Sequence, residues 1–393
     1  MMPSDLHLAI LAGEASGDTH GVALMRSLRK AHPEVRFSGK GGPKMLTEAV
    51  DSGGTLDNWI AEAGVLGLWD VLRHYGYFRK KFHALLEELA ANPPDAIILV
   101  DYPGFNLRLA KAIRKRKIPT KIIYYISPQV WAWNRRRIPE MARALDLMIC
   151  IFPFEQKIYE SSGLPTVFAG HPMAEELQAV PTEARDEHLL GFFPGSRTRE
   201  VVKIFPAMLS AAALIQKSRP EIRFEVAAAT PAHEELLRAM ITEKGIVMTI
   251  SVGASRDLMR RAAVGLVCSG TATLEAACLG LSYALVYKVA TLTYEVGIRL
   301  IRVPYLGMVN ILANRPVIRE FIQHAATPAA LADEALRLLN SREAREQLSA
   351  DLSSVVSILR GSETASASDR AARAVLVCVG EKSMPKQSIQ KQL

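Results

Sequence analysis

Short apolar runs recur along the chain, and each gives way to a longer stretch in which apolar positions return every three or four residues. In the first half the runs are LHLAILA, VRFSG, AIILVDY, KIIYYIS and DLMICIF, with THGVALMRSLRKA and FNLRLAKAIRKRK among the stretches between them. Continuous apolar runs predict strands buried on both faces, and the three-to-four period predicts the helices that cover them. The rhythm lapses at 170–187, GHPMAEELQAVPTEARDE, a polar stretch with two prolines, and then resumes with LLGFFPGS, IRFEVAAA, VMTISV, AVGLVCSG and YALVYKV. After about residue 315 the pattern is helical. The expected architecture is α/β: two Rossmann-like doubly wound parallel-sheet domains facing a cleft, over residues 1–172 and 173–355, then a helical segment with a polar tail, 356–393, free to pack back on the first domain.

Composition narrows the classes. A chain of 393 residues with 49% hydrophobic and 22% charged residues has enough apolar material for about two cores. Its net charge of +8 suits acidic partners: nucleotides, phosphorylated lipids, nucleic acid or an anionic membrane. Cys150, Cys268, Cys278 and Cys378 are widely spaced with no CxxC pair, which reads as free thiols in a reducing cytosol. The N-terminus lacks a basic n-region and no window is a charge-free span, so the expected location is the cytoplasm or the inner face of the membrane.

In a doubly wound fold, ligands sit beyond the carboxyl ends of the strands. PGSRTREV ends one strand and opens a helix: Gly195 allows a tight turn, Ser196 can cap, and Arg197 can meet an anion that the helix start already favours. CSGTATLEAA repeats the arrangement, with Ser269, Gly270 and Thr271 suited to a pyrophosphate and Glu275, four residues beyond Thr271, suited to ribose hydroxyls. Capped helix starts with Arg197 and Glu275 in solvent are the alternative for each motif taken singly. Together they look like a nucleotide-diphosphate site. GxGxxG, GxxxxGK[ST] and DxD are all missing, which disfavours hydride transfer, an ATPase and a metal-held sugar nucleotide. No cofactor and no metal is expected.

The first half carries different chemistry. Asp101 ends the run AIILVDY, where partial burial would raise a carboxyl toward useful basicity; capping the next helix is the other reading. GEASGD, Gly13 to Asp18, sets two acids and a serine between glycines at a turn of the kind that usually holds phosphates. In ISPQVWAWNRRRI, Ser127, Gln129, Trp131 and Trp133 fall on a loop at a strand end, suited to sugar rings or acyl chains, or to packing against their own domain. Residues 64–83 and the segment from Leu292 mix aromatic, apolar and basic side chains, as a lipid-facing surface or a packed helix with a basic outer face would.

These blocks occur together in one family. AGEASGD, GGPKM at Gly41, DYPGFN, SPQVWAW, PFE at Pro153, GHPM at Gly170, PGSR, SGTATLE and NILANRPVIREFIQ resemble, in order and from about residue 8 to 360, the lipid-A-disaccharide synthases, inverting glycosyltransferases of the GT-B type. The resemblance implies transfer from UDP-2,3-diacylglucosamine to 2,3-diacylglucosamine 1-phosphate, giving a β-1,6-linked disaccharide and UDP. It implies peripheral attachment to the anionic inner surface of the cytoplasmic membrane, leaves room for a homodimer, and implies no nucleic acid partner. Asp101 then corresponds to the base for the acceptor 6-hydroxyl, and Arg197 to the diphosphate ligand. Gly195, Ser196, Ser269, Gly270, Thr271, Glu275 and Asn310 fall in the UDP site. Gly13, Glu14, Ser16, Gly17, Asp18, Ser127, Gln129 and Trp131 fall on the acceptor side, with Asn106, Glu320 and Gln323 in the cleft lining. Two positions depart from the pattern: Gly104, where some relatives carry a second acid, and Lys40, where a small or apolar residue is expected. Another GT-B reaction, a UDP-sugar 2-epimerase, and a nucleotide-sugar-binding or scaffold protein without turnover are the alternatives.

Overall fold

The computed structural model describes residues 6–60, 75–177, 184–300, 303–361 and 364–380. Most of the basic aromatic segment 64–83, part of the segment from Leu292 and the polar tail from residue 381 lie outside the described residues. The chain forms two compact units: residues 1–172 with 360–393, and residues 173–359.

The first unit runs β1 (His7–Ala12), α1 (Ala15–Ala31), β2 (Arg36–Gly41), α2 (Pro43–Val50), β3 (Thr55–Asn58), α3 (Tyr75–Ala91), β4 (Ala96–Val100), α4 (Pro103–Lys115), β5 (Lys121–Tyr125), α5 (Val130–Trp133), α6 (Ile138–Ala144), β6 (Leu147–Cys150), α7 (Pro153–Glu160) and β7 (Thr166–Phe168). Its strands pair in parallel in the order β3-β2-β1-β4-β5-β6-β7. The central strands are apolar throughout because they feed two cores. In β1, Leu8, Ile10 and Ala12 enter one layer while Ala9 and Leu11 enter the other.

After α8 (Pro172–Glu176), the second unit runs β8 (Asp186–Phe193), α9 (Thr198–Ser218), β9 (Arg223–Ala228), α10 (Pro231–Lys244), β10 (Thr249–Val252), α11 (Ser255–Arg261), β11 (Ala262–Cys268), α12 (Thr271–Cys278), β12 (Ser282–Tyr287), α13 (Thr291–Leu300), α14 (Met308–Ala313), β13 (Glu320–Ile322), α15 (Pro328–Asn340) and α16 (Arg342–Arg360). The sheet order β10-β9-β8-β11-β12-β13 repeats the first six positions of the other sheet. Among the described helices α9 alone has the length and apolarity of a membrane span, yet Val201, Ile204, Phe205, Met208 and Leu209 on it are buried in this unit.

α16 passes unbroken through residue 355, where the sequence pattern suggested a boundary. α17 (Ala367–Gly380) then adds Ala371, Ala372, Val375, Cys378 and Val379 to the α1 side of the first unit's core.

Each sheet has a switch point where its strand order reverses: between β1 and β4 in the first unit, between β8 and β11 in the second. All four strands end in the motifs singled out above. GEASGD follows β1, DYPGFN follows β4, PGSR follows β8 and SGTATLE follows β11.

Candidate active site

Asp101 and Tyr102 both adopt left-handed backbone, at φ of 45° and 48°, a conformation that costs a non-glycine residue about 1–3 kcal/mol. The surroundings fix it. The Asp101 N–H donates to the Tyr125 carbonyl at 2.9 Å, while the Asp101 carbonyl accepts from the Tyr124 hydroxyl at 2.6 Å and from Asn106 Nδ2 at 2.7 Å. Asn106 is fully buried and also donates to the Val100 carbonyl, so it positions the turn and does not line a surface. The Asp101 side chain is left half-buried at the strand end. Burial pushes its carboxyl up and the Glu14 charge adds to the shift, while a hydrogen bond from the Tyr102 backbone works against both.

Gly13 lies against Tyr102: a Cβ there would run into the ring. The two turns at this switch point therefore pack directly, with Glu14 and Ser16 exposed beside them. Asp18 departs from its expected place on the acceptor side. It is 3% exposed, and its carboxylate accepts from the N–H groups of Gly42, Lys44 and Met45 at 3.0–3.1 Å, capping α2. Gly17 is buried against Ala12 and serves close packing of α1 on its strand.

The loop after β5 divides. Gln129 is exposed and Trp133 is half-exposed, with the Arg137 guanidinium 5.8 Å over its ring. Trp131 instead turns inward, 2% exposed, edge-on to Phe154 and donating from Nε1 to Glu155 at 2.8 Å. Ser127 is buried there too. Glu155 went unassigned from sequence although it lies in the PFE block. It is fully buried, and burial pushes its carboxyl up to about 7 against the opposing pull of Ser127, Trp131 and the Phe152 backbone. Trp131 and Ser127 thus belong to a buried polar cluster.

In the second unit one cavity of about 490 Å³ is walled by Gly195, Ser196 and Arg197 from the first motif and by Ser269, Gly270, Thr271 and Glu275 from the second. Gly270 holds φ 145° and α12 starts without a side-chain cap, so its first N–H groups face the cavity end unbonded by the helix. Gly195, at φ 112°, lets Glu200 tuck against the turn. Arg197 is largely exposed and pairs with Glu200 at 2.8 Å. The floor includes the Cys268 thiol, which burial and the Glu200 charge push up to about 12, leaving it unreactive.

Three residues expected at the nucleotide or cleft are engaged in hydrogen bonds within their own unit, and two of them, Asn310 and Glu320, also line a cavity with Tyr305 and Arg319. Asn310 is 1% exposed and saturated: it donates to the Ile318 carbonyl and Glu320 and accepts from the Val317 and Ile318 N–H groups. Glu320 accepts from the Leu306 and Gly307 N–H groups at 2.9 Å, capping α14. Gln323 closes a two-way bond with the Val289 backbone. Conversely, Arg256, unassigned from sequence, donates to Glu275 at 2.8 Å and to Glu176 at 2.6 Å. Those partners lie 19 and 80 residues away, beyond any local pattern.

Solved structures share this architecture. MurG from Acinetobacter baumannii matches with a TM-score of 0.54 at 14% identity, over 96% of this chain and 99% of its own. UDP-GlcNAc 2-epimerase from Neisseria meningitidis, bound to UDP-GlcNAc, matches with a TM-score of 0.53 at 10% identity, over 88% and 94%. The fold, two Rossmann-like parallel-sheet units with anion-friendly helix starts in the second, is that of the GT-B glycosyltransferases. A family model described as lipid-A-disaccharide synthetase matches residues 8–375. Lipid-A-disaccharide synthase from Geobacter sulfurreducens is 37% identical over 385 residues, 95% of this chain and 97% of that one. Lipid-A-disaccharide synthase 1 from Legionella pneumophila is 36% identical, over 82% and 85%. The chain belongs to the lipid-A-disaccharide synthase family, and the epimerase alternative is not favoured.

Proposed function

We propose that this chain moves the 2,3-diacylglucosaminyl group of UDP-2,3-diacylglucosamine onto the 6-hydroxyl of 2,3-diacylglucosamine 1-phosphate, giving the β-1,6-linked disaccharide 1-phosphate and UDP. One observation carries the residue-level reading: the two switch points bear complementary chemistry, a half-buried carboxyl with a raised pKa at the first and an uncapped helix start with arginine at the second. Asp101 takes the proton of the acceptor hydroxyl as its oxygen attacks the anomeric carbon. The bond to the diphosphate oxygen breaks with its electron pair, and the new charge is met by Arg197 and the first N–H groups of α12. A single displacement inverts the anomeric centre. Base catalysis of this kind is worth about 10²- to 10⁴-fold. Glu14, Ser16 and Gln129, all exposed, hydrogen-bond the acceptor.

The protein reaches its lipid substrates by peripheral attachment to an anionic membrane, driven by its basic charge; binding to anionic vesicles that added salt leaves unchanged would exclude a charge-driven mode. The reaction itself is tested by incubating purified protein with the donor in detergent, with and without acceptor, and measuring UDP and disaccharide by mass spectrometry. Both products appear only with acceptor. UDP release without disaccharide, or no release from folded protein, would overturn the assignment.

A further inference from the structure

The cavity that would take a nucleotide diphosphate is lined by two carboxylates, Glu200 and Glu275. Each is matched by an arginine: Glu200 by Arg197 and Glu275 by Arg256. The second pair is extended. Arg256, at the start of α11, donates from Nε to Glu275 Oε1 at 2.8 Å and from Nη1 to Glu176 Oε1 at 2.6 Å, so one guanidinium spans α12 and the end of α8. The Glu275 side chain is 16% exposed and so largely shielded from solvent, whereas Arg256 is 38% exposed and Glu176 mostly exposed. A guanidinium can make both contacts because its N–H groups diverge in a rigid plane; an ammonium is a point charge that holds neither partner's orientation.

We propose that Arg256 is a positioning residue for ribose recognition, anchored by Glu176: it fixes the Glu275 carboxylate by one oxygen, leaves the other for the ribose hydroxyls, and cancels a charge that would repel the diphosphate. This rests on the nucleotide-site reading above and adds the element that makes an acidic side chain tolerable beside phosphates. The two contributions separate experimentally. Charge cancellation acts on any uridine diphosphate alike, whereas orientation of Glu275 acts only on nucleotides that keep the hydroxyl it meets.

The full chain is titrated calorimetrically with UDP, 2′-deoxy-UDP and 3′-deoxy-UDP, for the wild type and for Arg256→Met, Arg256→Lys and Glu176→Gln, with circular dichroism as the folding control. The wild type prefers UDP over the weaker deoxy analogue by about tenfold or more, the scale of one lost hydrogen bond to a charged group. Arg256→Met weakens UDP at least tenfold and narrows the preference to within about threefold. Arg256→Lys recovers overall affinity without recovering the preference. Glu176→Gln, at an exposed position that folding tolerates, narrows the preference part of the way. Equal weakening of all three nucleotides in Arg256→Met, an undiminished preference in Glu176→Gln, or a wild type that binds UDP without preference would each overturn the proposal. Failure of the folded wild type to bind UDP at all would overturn the nucleotide site itself.

Discussion

Asp101 combines a backbone that is costly to form with a carboxyl that is costly to ionise, and neighbouring side chains hold both features. Replacing Asp101 with Asn keeps the shape and removes the proposed base: turnover should fall about 10²- to 10⁴-fold while UDP affinity stays unchanged in direct titration. The Glu14 charge helps hold the Asp101 pKa up, so Glu14→Gln should lower it and move the acid limb of kcat/KM to lower pH. A limb that stays in place would mean that another group is the base. Glu155 makes a prediction about stability. Its folded pKa of about 7 lies above its ordinary 4.5, so the folded state holds a proton that the unfolded state has released across that interval. The stability this carboxyl contributes is complete below about pH 4.5 and is lost as pH rises toward 7. Glu155→Gln does not titrate; relative to the wild type it should gain up to about 3 kcal/mol between those limits in urea melts.

At the scale of elements, a carboxylate near a strand end marks either chemistry or a cap, and the partners decide which. Asp18 holds three N–H groups at the start of α2, so Asp18→Ala should cost about 2–4 kcal/mol and lower the melting temperature, with turnover per folded molecule within about threefold of wild type. Lost turnover with unchanged melting would return Asp18 to the site. Local sequence could not settle this, because the backbone that Asp18 serves is 24–27 residues away. Arg256 stayed hidden for the same reason, its partners lying 19 and 80 residues away, and the Gln323 bond to Val289 spans 34 residues. The placement of Asp101, Arg197, Gly270 and Thr271 just beyond strand ends was legible because strand-end position and glycine-permitted turns are local properties. The same divide runs through the fold. The central strands were readable as unbroken apolar runs because both their faces are buried, whereas β3, β7 and β13 are three- or four-residue edge strands with no such pattern.

For the whole molecule, the consequence is an asymmetry between the units. The second unit is continuous in the chain, but the first is complete only when α17 returns to it across the entire second unit. Arg370 secures that return. Its buried guanidinium donates to the Ala169 carbonyl at 2.6 Å, just beyond β7, to the Arg360 carbonyl at 2.8 Å where α16 ends, and to the Ala365 carbonyl. Gly170, at φ 89°, has no side chain because a Cβ would meet that guanidinium. One side chain thus joins the end of the first sheet to the last helix, and Arg370→Ala strands three carbonyls at a cost of roughly 2–4 kcal/mol. Because the loss falls within one unit, it should appear in hydrogen exchange as faster exchange of α1, α17 and the β5–β7 edge, with β8 to β12 unchanged. Uniform acceleration through both sheets would instead mean that the units unfold as one, and that the second unit's stability depends on the closure of the first.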